Sequence, residues 1–287
     1  MNVFITGSSG KVGGAVANFL IGKKVKCYLG LRNNKSNFKN SKVCQVVKAD
    51  ILSKNFRIPN DCKMIIHTAT GVKKNFNSKK IYKDFQMSKK IFQLAEKEKN
   101  IKKVIFLSTA AIYSKKNKIV NEKTRQFNND IYSRTKIKCE KLFLRSKEKK
   151  IYNVRIPAVI GTYKEQNFFT KLVTNIYSKK KFDLYNPNQK FNNILDIQSL
   201  NQFLFSLLKS DFNSGNILIG SKKPMLLKDV VNIIKKKLKK NPKIQWKKNK
   251  DGFYLDIRKS IKNYKFKPRS TFKTIVRYIN LNYGQSI

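Results

Sequence analysis

The side chains best suited to acid–base chemistry in this sequence are Tyr132 and Lys136. They stand four residues apart, so that in a helix they share one face. A lysine ammonium near a tyrosine hydroxyl favours the phenolate and lowers the pKa of the phenol. A tyrosine of this kind can pass a proton near neutral pH. The same spacing is common in a lysine-rich chain, so its significance depends on its place, about twenty residues beyond the hydroxyl pair Ser108-Thr109.

The first residues of the chain predict an element that could hold a cofactor. An apolar run, Val3–Ile5, predicts a short buried strand, and an amphipathic run follows the glycine-rich segment Thr6–Gly13. In such a strand–turn–helix unit Gly7 allows the tight turn, Gly10 lets the backbone approach a pyrophosphate, and Gly13 lets the helix pack on the strand. The helix N-terminus offers N–H groups to the phosphates. The spacing G-x-x-G-x-x-G alone is weak, because glycines punctuate many ordinary turns.

The remaining apolar segments predict a parallel sheet that would position both features. The predicted strands after the first are Val25–Leu31, Val43–Lys48, Met64–His67 and Val104–Leu107. Helices are predicted over about 82–99 and from 129 to about 146. Strands that alternate with helices indicate a doubly wound sheet, with its ligand crevice at the carboxyl ends of the strands.

The residue type after the second strand bears on the cofactor. A site that prefers NAD usually places an acidic residue there to bind the adenosine ribose. This chain has no acidic residue before Asp50, and Arg32 stands in that place. Arginine suits a 2′-phosphate, which favours NADP. A solvated loop arginine is the alternative.

Charge and hydropathy bear on whether the protein binds polyanions or spans a membrane. The net charge is +48, but only nine of the 64 basic residues are arginines and the lysines are spread from end to end. We attribute the charge to compositional drift, with non-specific polyanion binding as a side effect. The sequence has no apolar stretch of the ~18 residues that a membrane span needs. The first predicted strand also lies within the first five residues, so we expect no cleavable signal.

Neither the cysteines nor the histidine predicts a metal site. The four cysteines are scattered and have no metal-ligand spacing, so we expect reduced core thiols in a cytoplasmic protein. The one histidine, His67, ends a strand beside small residues. We interpret it as a structural residue rather than a catalytic base.

Taken together, these motifs resemble the extended short-chain dehydrogenase/reductase superfamily, in its epimerase/dehydratase branch of nucleotide-sugar enzymes. The resemblance covers nearly the whole chain. The matching motifs are Thr6–Gly13 for TGxxGxxG, Asp50-Ile51 after the third strand, His67–Thr70 for H-x-A-A, Ser108–Tyr113 for S-[ST]-x-x-[VI]-Y, Ile131–Lys136 for P-Y-x-x-[ST]-K, and Arg155–Gly161 for R-x-x-N-V-Y-G.

The resemblance implies an α/β fold with a Rossmann-type doubly wound parallel sheet and a smaller C-terminal substrate-binding domain. We expect residues 1–160 to form the NAD(P)-binding domain, with a segment near 191–210 returning to it, and residues 161–287 to form the substrate-binding domain. The same resemblance makes Asp196 a helix-opening residue, which we interpret as an N-cap.

The resemblance also implies the site residues. The catalytic set is Thr109, Tyr132 and Lys136, with Ser108 as the other candidate hydroxyl. The cofactor-binding set is Gly7, Ser9, Gly10, Lys11, Val12, Arg32, Asp50, Ile51, Thr68, Ala69, Thr70, Tyr132, Lys136 and Pro157. No metal is expected.

Four positions depart from the family pattern. Ala158 replaces an asparagine that often meets the substrate, and Ile160 replaces a tyrosine, so substrate contacts cannot be copied across. In the dehydratases an Asp-Glu pair after the catalytic threonine supplies the acid and base for water elimination. Here those positions hold Ala110 and Ala111, which disfavours a dehydratase.

The leading hypothesis is therefore an NADP-dependent reductase of a keto group on a nucleotide-linked sugar, with Tyr132 as the acid. The alternative is an NAD-dependent nucleotide-sugar epimerase, which uses the same residues. A second alternative is a non-catalytic cofactor-binding regulator or polyanion-binding protein.

From the resemblance we also expect a homodimer, formed through the helices near 82–99 and 130–146. The expected partner is a nucleotide-sugar substrate, without specific nucleic acid or membrane partners. A cytoplasmic location follows from the same interpretation, with surface-polysaccharide synthesis as the commonest setting of the family.

Overall fold

A computed structural model describes residues 1–32, 38–48, 50–70, 78–127, 130–161, 166–248 and 252–284, with the backbone alone at 78–81. The chain divides into two compact units. The first unit comprises Met1–Ile112, Gln126–Arg155 and Asn201–Ile217, and the second comprises Tyr113–Arg125, Ile156–Leu200 and Leu218–Ile287.

The strands of the described chain are β1 (Asn2–Thr6), β2 (Lys26–Leu31), β3 (Cys44–Lys48), β4 (Met64–His67), β5 (Lys103–Thr109), β6 (Ile119–Val120), β7 (Lys150–Ile156), β8 (Ala158–Ile160), β9 (Phe182–Tyr185), β10 (Lys190–Phe191), β11 (Ile194–Asp196), β12 (Gly215–Leu218), β13 (Met225–Leu226), β14 (Ile244–Lys247) and β15 (Tyr254–Leu255). The helices are α1 (Lys11–Gly22), α2 (Ser78–Lys97), α3 (Ile131–Phe143), α4 (Phe168–Tyr177), α5 (Ile197–Lys209), α6 (Leu227–Leu238), α7 (Arg258–Asn263) and α8 (Thr271–Tyr283).

A seven-stranded sheet in the order β12-β7-β5-β4-β1-β2-β3 dominates the fold. The pairs β1–β2, β1–β4, β2–β3 and β4–β5 are parallel. The chain runs outward from β1 to β3 and then returns to β4 on the other side of β1, which is the doubly wound order. This confirms the predicted Rossmann-type fold. Because these five strands are parallel, their carboxyl ends lie at one edge of the sheet.

The sheet of the first unit is buried on its faces by apolar side chains. Val3, Phe4 and Ile5 are fully buried, as are Val104, Ile105 and Phe106 of β5. Continuous apolar runs of this kind are typical of parallel strands that are covered on both faces. The predicted strands begin and end within one residue of the observed bounds, except that β5 continues two residues beyond its predicted end to Thr109. Helix α2 begins four residues before its predicted start at 82 and ends at Lys97.

The second unit contains short strand pairs that the sequence pattern did not predict. The pair β6–β15 joins Ile119 to Tyr254, and the pair β9–β14 joins Phe182 to Ile244. Its core consists of apolar residues from α4, α6 and α8, among them Phe169, Leu172, Ile176, Val230, Ile234 and Ile275. Asp196 caps α5, because its Oδ1 accepts from the backbone N–H groups of Gln198 and Ser199 at 2.8 and 3.2 Å. The helix-capping prediction for Asp196 therefore agrees with the structure.

The cysteines are buried and unbridged. Burial raises the pKa of Cys27 to about 12 and that of Cys62 to about 11. Thiols of this kind are poor nucleophiles, because the reactive form is the thiolate. In the part of the chain that the structure describes, no cluster of three or more His, Cys, Asp or Glu residues could hold a metal ion. Within the same part, no helix is both long enough and apolar enough to cross a membrane.

Candidate functional site

The glycine-rich turn has the geometry that a pyrophosphate site requires. Gly7 has a φ of +71°, a conformation that favours glycine, and Gly10 N–H donates to Gly7 O at 2.9 Å. A Cβ at Gly13 would lie 2.3 Å from Gly7 O, so only glycine fits where α1 meets the turn. Gly10 is the N-cap of α1, whose first N–H groups therefore point out of the helix end. The turn thus fits the phosphates of a dinucleotide.

The other residues predicted on this turn lie on its outer side. Ser9 and Lys11 are exposed and Val12 is half-buried. Their backbone lies at the start of α1, where a bound anion is stabilised by the helix dipole. The neighbouring Ser8 faces the protein instead, because its hydroxyl donates to Gly30 O at 3.2 Å.

A buried polar cluster holds the turn against the end of β4. The hydroxyl of Thr68 donates to Thr6 O at 2.7 Å, and Ala69 N–H donates to Thr6 Oγ1 at 3.2 Å. Thr6 Oγ1 lies 2.7 Å from His67 Nδ1, and His67 Nε2 lies 3.0 Å from Ser88 Oγ. His67 is therefore a hydrogen-bonded structural residue behind the turn, in agreement with the sequence interpretation.

The buried histidine makes a testable contribution to stability. Burial, reinforced by the nearby charge of Lys136, lowers the pKa of His67 from 6.5 to about 3. The unfolded chain therefore binds one more proton than the folded chain between these values, and the free energy of unfolding falls as the pH falls from about 6.5 towards 3. His67 alone contributes a slope of about 1.4 kcal/mol per pH unit to the free energy of unfolding.

Urea unfolding of the protein and of its His67→Gln variant between pH 7 and pH 4 measures this slope. We expect the variant to be less stable at pH 7 and to lose less stability on acidification, by about one proton's slope. Parallel pH dependences for the two proteins would contradict the assignment.

Of the two neighbouring hydroxyls at the end of β5, Thr109 is the accessible one. Ser108 is 2 % exposed, and its hydroxyl donates to Glu140 Oε1 at 2.5 Å. Thr109 is half-buried, and its Oγ1 accepts from Ala111 N–H at 3.1 Å. This contact uses a lone pair of the Thr109 hydroxyl and not its proton. The geometry therefore supports Thr109 as the hydroxyl that could bind a substrate oxygen.

The start of α3 is capped by Asp130, and two hydrogen bonds, from Ser133 and Lys136, fasten the helix to the end of β5 and the turn that follows it. Asp130 caps the helix by accepting from Ser133 N–H at 2.9 Å, and the Ser133 hydroxyl donates to Ala111 O at 3.0 Å. Lys136 donates from Nζ to Leu107 O at 3.1 Å. The helix begins at Ile131 and ends at Phe143, three residues before its predicted end, and the predicted first residue, Asn129, lies outside the described residues.

Lys136 is buried between the rings of Phe106 and Tyr132. It is 7 % exposed, and its Nζ lies 4.7 Å from the ring centre of Phe106 and 5.8 Å from that of Tyr132. Tyr132 is half-buried. The structure thus brings Thr109, Tyr132 and Lys136 into one unit at the edge where β5 ends. An ammonium has three donors, so Lys136 can bind Leu107 O and cofactor hydroxyls together.

The predicted ribose-side residues lie after β2, β3 and β4. Arg32 and Asp50 are exposed, and Ile51 is buried. Asp50 also accepts from Leu52 N–H at 3.3 Å. Thr70 is exposed, and its hydroxyl donates to Asp84 Oδ2 at 2.8 Å. Each follows a parallel strand at the same edge of the sheet as the glycine turn.

Two features near the site were not predicted from the sequence, namely the strand break at Pro157 and the buried ion pair of Glu140. The motif Arg155–Gly161 is divided at half-buried Pro157, which lacks an N–H, so β7 ends before it and β8 pairs with β11. Sequence reasoning also missed Glu140, which is buried and paired with Arg155. Its position eight residues after Tyr132, on the same helical face, was the available signal.

Comparisons with known proteins agree with this architecture. The sequence profile of the NAD dependent epimerase/dehydratase family matches residues 3–206. The chain belongs to that family. The family assignment confirms the resemblance drawn from the motifs and the prediction of an NAD(P)-dependent enzyme of the extended short-chain dehydrogenase/reductase type.

Individual relatives are distant but span almost the whole chain. The uncharacterized protein MJ1055 of Methanocaldococcus jannaschii is 23% identical, over 95% of this chain and 93% of its own. UDP-glucuronic acid 4-epimerase from Bacillus cereus, solved with NAD, has a TM-score of 0.81 at 17% identity, with 98% of each chain covered. UDP-N-acetylglucosamine 4-epimerase from Bacillus cereus also has a TM-score of 0.81, at 19% identity and the same coverage. At these identities the structural likenesses establish the fold of this family member.

Proposed function

We propose that this family member is an NAD-dependent epimerase that inverts C4 of a UDP-linked sugar. The observation that supports the proposal is the fastening of Ser133 and Lys136 to backbone oxygens at and just after the end of β5, which holds the helix that carries Tyr132 against the segment that carries Thr109. The names of the two Bacillus cereus neighbours, both 4-epimerases of UDP-sugars, support the substrate class. The reductase hypothesis is not confirmed, and the comparisons favour the epimerase alternative.

Three side chains of the protein have separate roles in the proposed epimerisation. Bound NAD supplies the reversible removal of a hydride from the sugar carbon. Tyr132 accepts the proton of the sugar hydroxyl and later returns it, and Thr109 hydrogen-bonds the same oxygen and orients it. Lys136 binds the nicotinamide ribose from its position on Leu107 O, so that the cofactor and Tyr132 are held by one helix.

Water elimination is disfavoured by the residues that follow Thr109. Ala110 is buried and Ala111 exposed, and both lie in a 3₁₀ turn. Neither side chain can donate or accept a proton, so the acid and base of a dehydratase are missing from these positions. Epimerisation and keto reduction both remain chemically possible with Tyr132, Thr109 and Lys136.

The second candidate is the NADP-dependent reductase, and Arg32 is the observation that favours it. Arg32 is exposed directly after β2, where an NAD-selective site usually has an acid. Its guanidinium suits a 2′-phosphate. We nevertheless propose NAD, because a structural neighbour was solved with it.

The two candidates differ in whether the reaction consumes cofactor. Proton NMR of a UDP-sugar mixed with the purified protein follows the conversion of the sugar. We expect a UDP-sugar and its C4 epimer to reach equilibrium without net consumption of cofactor, and NAD to be released when the protein is denatured. Net oxidation of added NADPH with a keto-sugar nucleotide, without interconversion of the epimers, would instead establish the reductase.

We further propose that the second unit binds the nucleotide-linked sugar and that the protein works in the cytoplasm as a homodimer. The domain proposal follows the family resemblance and the division of the chain at Arg155 and Ile156. The dimer proposal concerns α2 and α3, which pack together in the first unit. Sedimentation of the purified protein measures the oligomeric state.

A further inference from the structure

Behind the end of β5 lies a buried ion pair between Glu140 of α3 and Arg155 of β7. Arg155 Nε donates to both carboxylate oxygens of Glu140, at 3.1 and 3.2 Å, and a terminal guanidinium nitrogen donates to Oε2 at 2.7 Å. Arg155 is fully buried and Glu140 is 1 % exposed. The forked guanidinium fixes both the position and the orientation of the carboxylate.

Two further donors complete the surroundings of this carboxylate. The Ser108 hydroxyl donates to Oε1 at 2.5 Å, and Gln126 Nε2 donates to Oε2 at 3.1 Å. Asn153 of β7 also donates from its side chain to the backbone O of Glu140 at 3.1 Å. Glu140 is therefore joined to β5, to β7 and to the segment that precedes α3.

The position of Glu140 on α3 relates this network to the candidate catalytic residues. Tyr132, Lys136 and Glu140 follow one another at four-residue spacing and share a helical face. On the strand side, Ser108 is the residue directly before Thr109. A single carboxylate thus links the helix that carries the tyrosine to the strand that carries the threonine.

We infer that Glu140 is a positioning residue that sets the distance between the Thr109 hydroxyl and the Tyr132 phenol, acting through Ser108 and Arg155. A buried ion pair is weak support for stability, because desolvation offsets much of its attraction. The forked hydrogen bonds of the pair, in contrast, hold both side chains in one orientation. Proton transfer depends steeply on geometry, and a displacement of ~1 Å can lower a rate about 100-fold. The inference rests on the proposed function only in treating Thr109 and Tyr132 as the reacting pair.

The cleanest test removes the Ser108 hydroxyl, because Ser108→Ala leaves the ion pair between Glu140 and Arg155 intact. We expect kcat for epimerisation to fall about tenfold, with KM and NAD affinity unchanged. The matched control is Ser146→Ala, which removes a similar serine–glutamate bond, Ser146 to Glu96 at 2.6 Å, beyond the other end of α3. The control should keep the wild-type kcat.

A second variant removes the charges while keeping polar side chains at both positions. The double change Glu140→Gln with Arg155→Gln is expected to lower kcat about 100-fold at unchanged KM in protein that still unfolds cooperatively. If the double variant fails to fold, the kcat of the Ser108→Ala variant alone tests the inference. Wild-type kcat in folded Ser108→Ala protein would overturn the inference.

Amide hydrogen exchange separates this inference from the proposed function. The Ala111 N–H donates to Thr109 Oγ1, so its exchange rate reports how firmly the Thr109 hydroxyl is held. We expect Ser108→Ala to accelerate exchange at Ala111 and Ser146→Ala to leave it unchanged. This result would support positioning by Glu140 even if the wild-type protein epimerised no UDP-sugar. Unchanged exchange at Ala111 in both variants would contradict it.

Discussion

Replacing Tyr132 with phenylalanine is expected to lower kcat about 10²- to 10⁴-fold, because it removes the group that takes and returns the substrate proton. Cofactor affinity should remain close to that of the wild-type protein, since the phenyl ring and Lys136 are retained. Steady-state kinetics and a fluorescence titration with NADH measure the two quantities.

An exposed tyrosine of the same unit provides the control for this experiment. Tyr82 of α2 is 64% exposed, and Tyr82→Phe should leave both turnover and cofactor affinity unchanged. Turnover that survives in Tyr132→Phe would remove the tyrosine from the proposed mechanism. Loss of cofactor binding in the same variant would instead assign it to the cofactor site alone.

The second large effect is expected at Gly13, where a methyl group has no room. The added Cβ would lie 2.3 Å from Gly7 O and 2.6 Å from Thr68 Oγ1, far inside contact distance. Because Gly7 O belongs to the backbone of the turn, the turn itself must move, and with it the N–H groups that would bind the phosphates. We expect Gly13→Ala to weaken NAD binding about 100-fold, equivalent to ~3 kcal/mol. Overpacking should also lower the free energy of unfolding by ~1–3 kcal/mol.

The same helix offers a matched glycine for comparison. Around Gly22, the last residue of α1, nothing lies within 4 Å of an added Cβ. Gly22→Ala should therefore bind NAD normally and unfold at a free energy that is higher by ~0.5–1 kcal/mol. Isothermal titration with NAD and urea unfolding of both variants provide the measurements. Equal NAD affinity for Gly13→Ala and Gly22→Ala would contradict a phosphate-binding role for the turn.

The sequence predicted the elements whose signals are local. The apolar run Val3–Ile5, the glycines of Thr6–Gly13 and the spacing of Tyr132 and Lys136 each specify a strand, a turn or a helical face within a few residues. These elements carry Tyr132, Lys136 and the glycines of the turn, whereas the other candidate residues were named from the family resemblance.

The features that escaped prediction depend on distant partners. The two-residue strand β6 has no periodicity of its own, and it forms because Ile119 and Val120 meet Tyr254 and Leu255. Glu140 looks like any polar helical residue until Arg155 and Ser108 are placed against it. The break at Pro157 likewise reflects a change of pairing partner, which a continuous motif conceals.

On the choice of cofactor, the local observation and the structural comparison favour different answers. Arg32 does follow β2, and it does lie exposed at the edge of the sheet. The acid that normally marks NAD is missing, yet a fold neighbour was solved with NAD. A missing carboxylate removes one preference for NAD, but it does not by itself create a site for a 2′-phosphate.

The fate of a label at C4 of the sugar shows whether the protein epimerises its substrate by reversible oxidation at that carbon. Epimerisation by reversible oxidation removes the hydrogen from C4 and returns the same hydrogen to the other face. A UDP-sugar that carries deuterium at C4 should therefore yield its C4 epimer with the deuterium retained at C4 in ordinary water, as read by mass spectrometry and NMR. Loss of the label to solvent, or a protein that leaves the C4 configuration unchanged for every UDP-sugar tried, would contradict the account.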